Sequence, residues 1–397
     1  MSKLILSLTV LCLTCSQGPG QESLSEKYLY SGQLAQGERV LEAELSTTPE
    51  DDQVRFGLAM LQLVRGIERL GSGLYDFGCR PENRQLFVRI PIAENPDPAP
   101  ITYLSYRRLM SGFRADLATV ESTLSRIRNK DVKLSLKLAD IHLNLSGGQQ
   151  PSEQFGEILK KVMGRGFRFH ADNPQFLVCF DRGDVAWLRA YCHMLMGLID
   201  LMDSLDGEEL FNMTAAEQFI KPKLRTRPSQ ANQVGPQPPS QIIRITDPVR
   251  LRHFRDHMVK VCELNRETWG FIRSETDNDH EWLPNPRQTG VLQLPVTDEM
   301  IDSWLLAIQE LHDLMLGKKV IPAMIMQWLQ PKTAKGFNLA RFLEDPPSDI
   351  DWPRIQKEGF REKYLDDSRP ELGIQAFLRV FQAFQNPIGV GYAVWFN

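Results

Sequence analysis

Two sets of side chains in this sequence have the types and spacing of a catalytic or metal-binding site. In the first, His253 and His257 lie four residues apart in a helical pattern, so one turn places both imidazoles on the same face. Paired histidines are frequent zinc ligands. The glutamate of the H-E-x-x-H protease motif is absent, because Phe254 follows His253. The pair lies off the apolar stripe of its helix, so two exposed histidines on a wet flank are the alternative to a metal site.

The second set follows a predicted helix over residues 181–203 that is apolar around most of its circumference. Its polar members are spaced 7, 4, 7 and 3 residues apart and form one narrow stripe: Arg182, Arg189, His193, Asp200 and Asp203. One interpretation makes this stripe the solvent-facing edge of the helix. The other makes it the lining of a cleft, in which Arg189 binds an anion while His193 and Asp200 move protons. The sequence places no nucleophile beside them.

A run of alternating acids follows the histidine-bearing helix: Glu275, Asp277, Asp279 and Glu281. Clustered carboxylates suit Ca²⁺, but an EF-hand loop needs Gly at its sixth position and Glu at its twelfth. Counted from Asp277, those positions hold Trp282 and Gln288. We therefore interpret the run as a solvated acidic loop. Phosphate-binding glycine loops, the G-x-S-x-G elbow and zinc ribbons are absent from the sequence, so no cofactor is predicted.

The chain begins with the features of an export signal. Lys3 precedes an apolar run over 4–13, which is shorter than the roughly 20 residues needed to span a bilayer. Gly18 and Gly20 fit the small-x-small cleavage rule and predict a mature start at Gln21. Later segments lack 18 consecutive apolar residues, so we predict no transmembrane span and a periplasmic or secreted location.

The cysteines bear on both anchoring and redox state. A lipid anchor at Cys15 is the alternative to simple cleavage, although Thr14 and Cys12 depart from the usual bacterial lipobox. Beyond the leader, four cysteines remain: Cys79, Cys179, Cys192 and Cys262. An oxidising compartment would allow three pairings among them, and free core thiols are equally compatible with the sequence.

Composition and breaker residues predict the domain organisation. The formal net charge of the 397 residues is −4, from 46 basic and 50 acidic side chains, which argues against a nucleic-acid partner. Residues 221–241 contain five prolines and are typical of a linker or disordered loop. We predict a signal peptide at 1–20, a helical domain with a short β-hairpin at 21–220, and a mainly helical domain at 242–397.

Periodicity predicts a mainly α-helical fold of packed helical hairpins with a few short strands. Apolar residues spaced alternately three and four apart mark a long helix over 103–127. Strict alternation predicts a strand at 132–138, which resumes out of phase at 141–145 after a bulge or tight turn. Further short strands are expected at 242–245 and 291–296.

Two helix starts carry capping residues. Thr246 or Asp247 precedes Pro248, a residue that is favoured in the first turn of a helix. Thr297 precedes two acids, which suit the positive end of the helix dipole. Helices are therefore expected to begin at both places.

Two stretches resemble known protein types. Residues 252–322 contain a helix, an acidic turn, a W-x-P-N-P-x-Q-T segment and a second helix ending in G-K-K-x-I-P. In this order they resemble a group of uncharacterised exported, planctomycete-like bacterial proteins, which implies an envelope protein and supplies no catalytic residues. Residues 28–49 resemble a tetratricopeptide-type hairpin, but the span from Gly32 to Pro49 is too short for the roughly 34-residue repeat, and an ordinary helical hairpin is favoured.

These patterns lead to three expectations about function. The first is a non-enzymatic periplasmic binding or scaffold protein, because helical hairpins stacked side by side leave a concave face for a protein or small-molecule ligand. The second is an envelope hydrolase or metal-dependent enzyme that uses His193 with Asp200, or His253 with His257. The third is a lipid-anchored envelope protein attached through Cys15.

Overall fold

The computed structural model describes residues 23–80, 91–149, 151–163, 168–224, 242–326 and 335–384. The predicted signal peptide, Cys15 and nearly all of the predicted linker lie outside these residues. The described chain is mainly α-helical with a few short antiparallel strands, as the sequence predicts.

Thirteen α-helices occupy the described ranges: α1 (Leu24–Tyr30), α2 (Leu34–Thr47), α3 (Asp52–Asp76), α4 (Tyr103–Leu124), α5 (Phe155–Met163), α6 (Arg182–Ser204), α7 (Glu208–Gln218), α8 (Pro248–Ser274), α9 (Asp298–Met315), α10 (Ala323–Met326), α11 (Leu339–Glu344), α12 (Trp352–Glu358) and α13 (Ile374–Ala383). The predicted starts of α8 and α9 are confirmed. Asp247 accepts hydrogen bonds from the Val249 and Arg250 backbone N–H groups, and Thr297 accepts one from Met300.

The strands form four two-stranded antiparallel sheets in the described chain: β1 (Leu134–Lys137) with β4 (Leu177–Phe180), β2 (His142–Leu143) with β3 (Glu153–Gln154), β5 (Ile242–Arg244) with β7 (Asp349–Asp351), and β6 (Gly336–Phe337) with β8 (Leu365–Asp366). The segments at 132–138 and 141–145 therefore do not pair with each other. A 3₁₀ turn at Leu138–Asp140 separates them, and its backbone N–H groups donate to Gln175 and Phe176 instead.

The strand expected at 291–296 does not form. Its residues are turn and irregular structure, and Gln293 has a φ of +53°. A strand requires a negative φ, so a left-handed residue in the middle of the segment breaks the extended backbone. The prediction from alternation alone is therefore wrong here.

Helix α6 lies at the centre of the fold, with α4 on one side and α8 on the other. Helix α8 follows the predicted linker, yet its longest interface is with α6, which precedes it. Gly197 marks the close approach of these two helices, since a Cβ atom there would lie 3.1 Å from His257 Cβ. The elements on the two sides of residues 221–241 thus share one buried interface.

Among the described helices, α6 also has the length and hydropathy that crossing a membrane would require. In this fold 56% of its most apolar stretch is buried inside the protein. A core helix of a soluble protein passes the same test of length and composition. The prediction that the chain has no transmembrane span therefore stays a prediction.

The four cysteines in the described part of the chain are buried and none forms a disulfide with another: Cys79, Cys179, Cys192 and Cys262. Cys192 lies within α6 and Cys262 within α8, where each acts as a small apolar side chain. Of the two redox states left open by the sequence, the fold contains the reduced one.

Candidate functional site

The polar stripe of α6 packs between α4 and α8 rather than facing solvent. The Asp200 side chain is fully buried, and the exposed fractions of the Arg189 and His193 side chains are 12% and 15%. The prediction of a solvent-facing edge is wrong, because both neighbouring helices carry charged partners for these residues. Arg189, His193 and Asp200 instead form part of a helix interface.

Asp200 accepts hydrogen bonds from two guanidinium groups. Arg114 on α4 donates from Nε and Nη2 to its two carboxylate oxygens, at 2.8 and 2.7 Å. Arg250 on α8 donates from Nη1 to Oδ1 at 2.7 Å. Burial alone would raise the pKa of Asp200, but hydrogen bonds from His257, Arg114 and Arg250 outweigh it and lower the pKa to about 2. Asp200 is therefore ionised throughout the neutral range and fixed in place.

His193 and His257 contact each other through their Nδ1 atoms at 2.8 Å. His193 Nε2 lies 3.5 Å from Glu121 Oε1, and His257 Nε2 lies 3.4 Å from Asp200 Oδ2. A hydrogen bond between two Nδ1 atoms needs one donor and one acceptor, so the two rings together carry at most one positive charge. This pair links two ionised carboxylates on opposite sides of it.

The network continues at both ends along α6. Arg189 donates to Glu121 at 3.0 and 3.1 Å, and burial, which would raise the pKa of Glu121, is outweighed by its bonds to His193 and Arg189, so that pKa is lowered. At the other end Arg107 donates to an oxygen of Asp203 at 2.9 Å. We call the whole set the interhelical network: Arg107, Arg114, Glu121, Arg189, His193, Asp200, Asp203, Arg250 and His257.

The α4 half of this network was missed by the sequence reasoning, although a signal exists. Arg107, Arg114 and Glu121 recur every seven residues, so they lie on one face of α4. Their order of charge, two bases followed by an acid, is complementary to the stripe of α6 read in the opposite direction. Two antiparallel helices with complementary polar stripes indicate an interface rather than two wet edges.

The structure does not bring His253 and His257 together as a metal site. The side chain of His253 is exposed, whereas His257 turns into the interface with α6. Among the described residues, neither histidine belongs to a group of three potential metal ligands. No described hydroxyl or thiol hydrogen-bonds to His193 or His257 either, so neither histidine has a side-chain nucleophile beside it in this part of the chain.

A cavity of about 440 Å³ opens beside the Arg107 end of the network, between α3, α4, α6 and α7. Its walls are mostly aliphatic and aromatic and include Leu70, Leu74, Tyr106, Met110, Ile199 and Phe211. Tyr103 also lines the cavity, and its hydroxyl accepts a hydrogen bond from the Gly207 N–H at the start of α7. Arg107 and Asp203 add a polar edge to this apolar space.

Comparisons with protein-family models, with curated proteins and with solved structures gave no match. The resemblances of residues 252–322 and 28–49 therefore stay predictions. The candidate site is therefore described by its geometry alone. It consists of an ionic network, in which each carboxylate is paired with a guanidinium group, and an apolar cavity beside it.

Proposed function

We propose that the protein is a non-enzymatic binding protein whose ligand is an apolar small molecule, such as one acyl chain, held in the cavity between α3, α4, α6 and α7. The observation that carries this proposal is the cavity itself. Its volume of about 440 Å³ lies within the range of small-molecule sites, about 300–1,000 Å³. Its apolar walls favour burial of hydrocarbon, and the edge formed by Arg107 and Asp203 suits one polar group of the ligand.

The interhelical network supports binding over catalysis. Its carboxylates are already paired with guanidinium groups, and its two histidines are bonded to each other. A general base must reach the proton that it removes, and a nucleophile must lie beside it. Of the network, Arg107 and Asp203 line the cavity, and their ion pair gives the binding site a fixed polar edge.

The first prediction tests the cavity by titration with N-phenylnaphthylamine, a neutral dye that fluoresces in apolar surroundings. The wild-type protein should bind it with saturable, micromolar affinity. Met110→Trp should weaken binding at least about tenfold, because the larger ring fills space that the ligand needs. Leu104→Trp is the matched control, since Leu104 is exposed on the same helix and does not line the cavity.

Circular dichroism should show that both variants keep their helical content. Equal dye affinity in the two variants, or an absence of saturable binding by the wild-type protein, would contradict the proposal. If the dye binds as expected, mass spectrometry of an organic extract of the purified protein would identify any natural occupant of the cavity.

We further propose that the protein works in the periplasm or outside the cell, on the basis of the charge, apolar run and small residues in its first 20 positions. The second prediction is a mature chain that begins at Gln21. Mass spectrometry of the intact protein from a bacterial host distinguishes this product from one that carries lipid on Cys15. An uncleaved chain recovered from the cytoplasm would exclude both forms of export.

A further inference from the structure

The acidic run that follows α8 is partly buried and holds a proton. Glu281 is buried and Glu275 is half-buried, so the prediction of a solvated loop is wrong for these two residues, whereas Asp277 and Asp279 are exposed. Burial, the charge of Asp181 and a hydrogen bond with that residue raise the pKa of Glu275 to about 8, so Glu275 is protonated at neutral pH. The unused hydrogen-bond donors that point to a ligand lie elsewhere, at the cavity between α3, α4, α6 and α7.

Arg107 gives the polar edge of this cavity donors that the protein itself does not use. Its Nε donates to Asp203 Oδ1 at 2.9 Å, and its Nη2 donates to the Asp203 carbonyl oxygen at 2.7 Å. A guanidinium group has five N–H groups, so about three of them have no hydrogen-bond partner among the described residues. Arg107 lines the cavity and is only partly buried. A ligand in the cavity can therefore accept hydrogen bonds from it.

Asp203, in contrast, has a guanidinium group beside each of its carboxylate oxygens. Its Oδ1 accepts from Arg107, and its Oδ2 lies 3.6 Å from Nη1 of Arg250 on α8. The Asp203 side chain is also buried. An ammonium group of a ligand would have to compete with both arginines for these oxygens. The edge therefore favours a ligand group that accepts hydrogen bonds over one that donates them.

The charge at this end of the interhelical network favours an anion as well. Three guanidinium groups surround two buried carboxylates there: Arg107, Arg114 and Arg250 around Asp200 and Asp203. Asp247 lies 3.6 Å from Arg250 Nε, but its side chain is exposed, so solvent screens its charge. A carboxylate bound at Arg107 would balance the excess positive charge.

Two tyrosines of α4 add neutral donors at the same place. Tyr103 and Tyr106 line the cavity, and their rings lie 5.8 and 5.7 Å from that of Phe211. The Tyr103 hydroxyl accepts the Gly207 N–H, and within the described residues neither hydroxyl has an acceptor for its own proton. Burial raises the pKa of both tyrosines, so both hydroxyls keep that proton at neutral pH. The Arg107 guanidinium lies 5.7 Å from the centre of the Tyr103 ring, which places these donors together.

We propose that the ligand of this cavity is a fatty acid, with its hydrocarbon chain among the apolar walls and its carboxylate bound to Arg107. The inference rests on the proposed function and adds the chemical class of the polar group that the site recognises. Hydrogen bonds from a guanidinium group to a carboxylate are about twice as strong as bonds between neutral groups. An alcohol of the same chain length would keep the apolar contacts and lose this contribution, and an amine would meet a group of like charge.

The third prediction compares three compounds that differ only in their polar group: decanoate, 1-decanol and decylamine. Each competes with N-phenylnaphthylamine for the purified protein at pH 8, below the concentration at which it forms micelles. Decanoate should displace the dye at a concentration at least about tenfold lower than 1-decanol does, because it alone accepts charge-assisted hydrogen bonds. Decylamine should be the weakest competitor.

Arg107→Gln should lower the ratio of the decanoate and decanol affinities to about 1. Arg108→Gln is the matched control, because it removes the same charge from the next residue of α4, which is exposed and does not line the cavity; it should keep the wild-type ratio. Tyr106→Phe removes one hydroxyl and keeps the ring, and it should lower the ratio by about threefold. This second variant keeps the test decisive if Arg107→Gln does not fold.

The outcomes separate this inference from the proposed function. Saturable dye binding with equal competition by decanoate and 1-decanol, or with decylamine as the strongest competitor, would overturn the fatty-acid assignment alone. An unchanged affinity ratio in folded Arg107→Gln would overturn it too, because the carboxylate would then bind elsewhere. A wild-type protein that binds neither the dye nor any of the three compounds would overturn both proposals.

Discussion

Asp200 has no exposed side-chain surface, so the stability of its charge depends on Arg114, Arg250 and His257. Its folded-state pKa of about 2 lies below the value of about 3.9 for an unfolded chain. A carboxylate with a lowered pKa stabilises the folded state above its unfolded pKa. That stabilisation is lost as the pH falls from about 4 to about 2.

The fourth prediction follows from this sign. Asp200→Asn should lower the free energy of unfolding at pH 7 by about 3–5 kcal/mol, because it leaves two guanidinium groups without their buried partner. The difference from wild type should shrink as the pH falls from 4 to 2, where the wild-type carboxylate is protonated as well. Urea denaturation over this pH range measures both effects.

The matched control is Asp302→Asn, which removes an exposed partner of Arg273 and should cost less than about 1 kcal/mol. Similar costs for the two variants would show that the interhelical network contributes no more than a surface ion pair. A constant difference between wild type and Asp200→Asn across the acidic range would contradict the lowered pKa.

At the scale of elements, two helices can approach each other most closely where a glycine lies between them. Gly37 of α2 packs on Tyr28 of α1, and a Cβ atom at Gly37 would lie only 2.5 Å from Tyr28 Cβ. Both atoms are fixed to the backbone, so a larger residue must push the two helices apart. Gly270 of α8, in contrast, has no heavy atom within 4 Å of an added Cβ.

The fifth prediction compares these two glycines. Gly37→Ala should destabilise the protein by about 1–3 kcal/mol, because overpacking outweighs the better helix propensity of alanine. Gly270→Ala should stabilise it by up to about 1 kcal/mol through that same propensity. Thermal unfolding followed by circular dichroism gives the sign of each change. Stabilisation by Gly37→Ala would mean that α1 and α2 are less closely packed than their geometry indicates.

The long helices could be predicted from the sequence because their signals are local. The cap at Thr297 and the Pro248 start depend on residues within one turn, and both predictions are confirmed. Strand partners were not predictable in the same way. Residues 134–137 pair with 177–180, some forty positions later, and alternation in one strand carries no information about which distant segment it meets.

The candidate site also depends on contacts between residues that are far apart in the sequence. Residue types and spacing identified the polar stripe of α6, but the surroundings of that stripe depend on α4 and α8. The residues of these two helices that bond to Asp200 lie 86 positions before it and 50 positions after it in the sequence. The cavity is likewise a product of packing between separate elements. Exposure was therefore the property that the sequence predicted least well.

At the scale of the whole molecule, the proposed linker at 221–241 separates segments that nevertheless pack together. Helix α6 belongs to the first predicted unit and α8 to the second, yet Arg250 and His257 complete the charge pairing of Asp200. Neither unit contains a complete set of partners for the central helix.

The central position of α6 has a consequence for how the chain is made. Ribosomes synthesise proteins from the amino end, so α6, the one described helix that is long and apolar enough to cross a membrane, leaves the exit tunnel before α8 exists to cover it. During that interval Asp200 has Arg114 and lacks Arg250, and the face of α6 that α8 covers in the complete fold is exposed. We therefore expect a nascent chain that stalls between α6 and α8 to aggregate more readily than the complete chain.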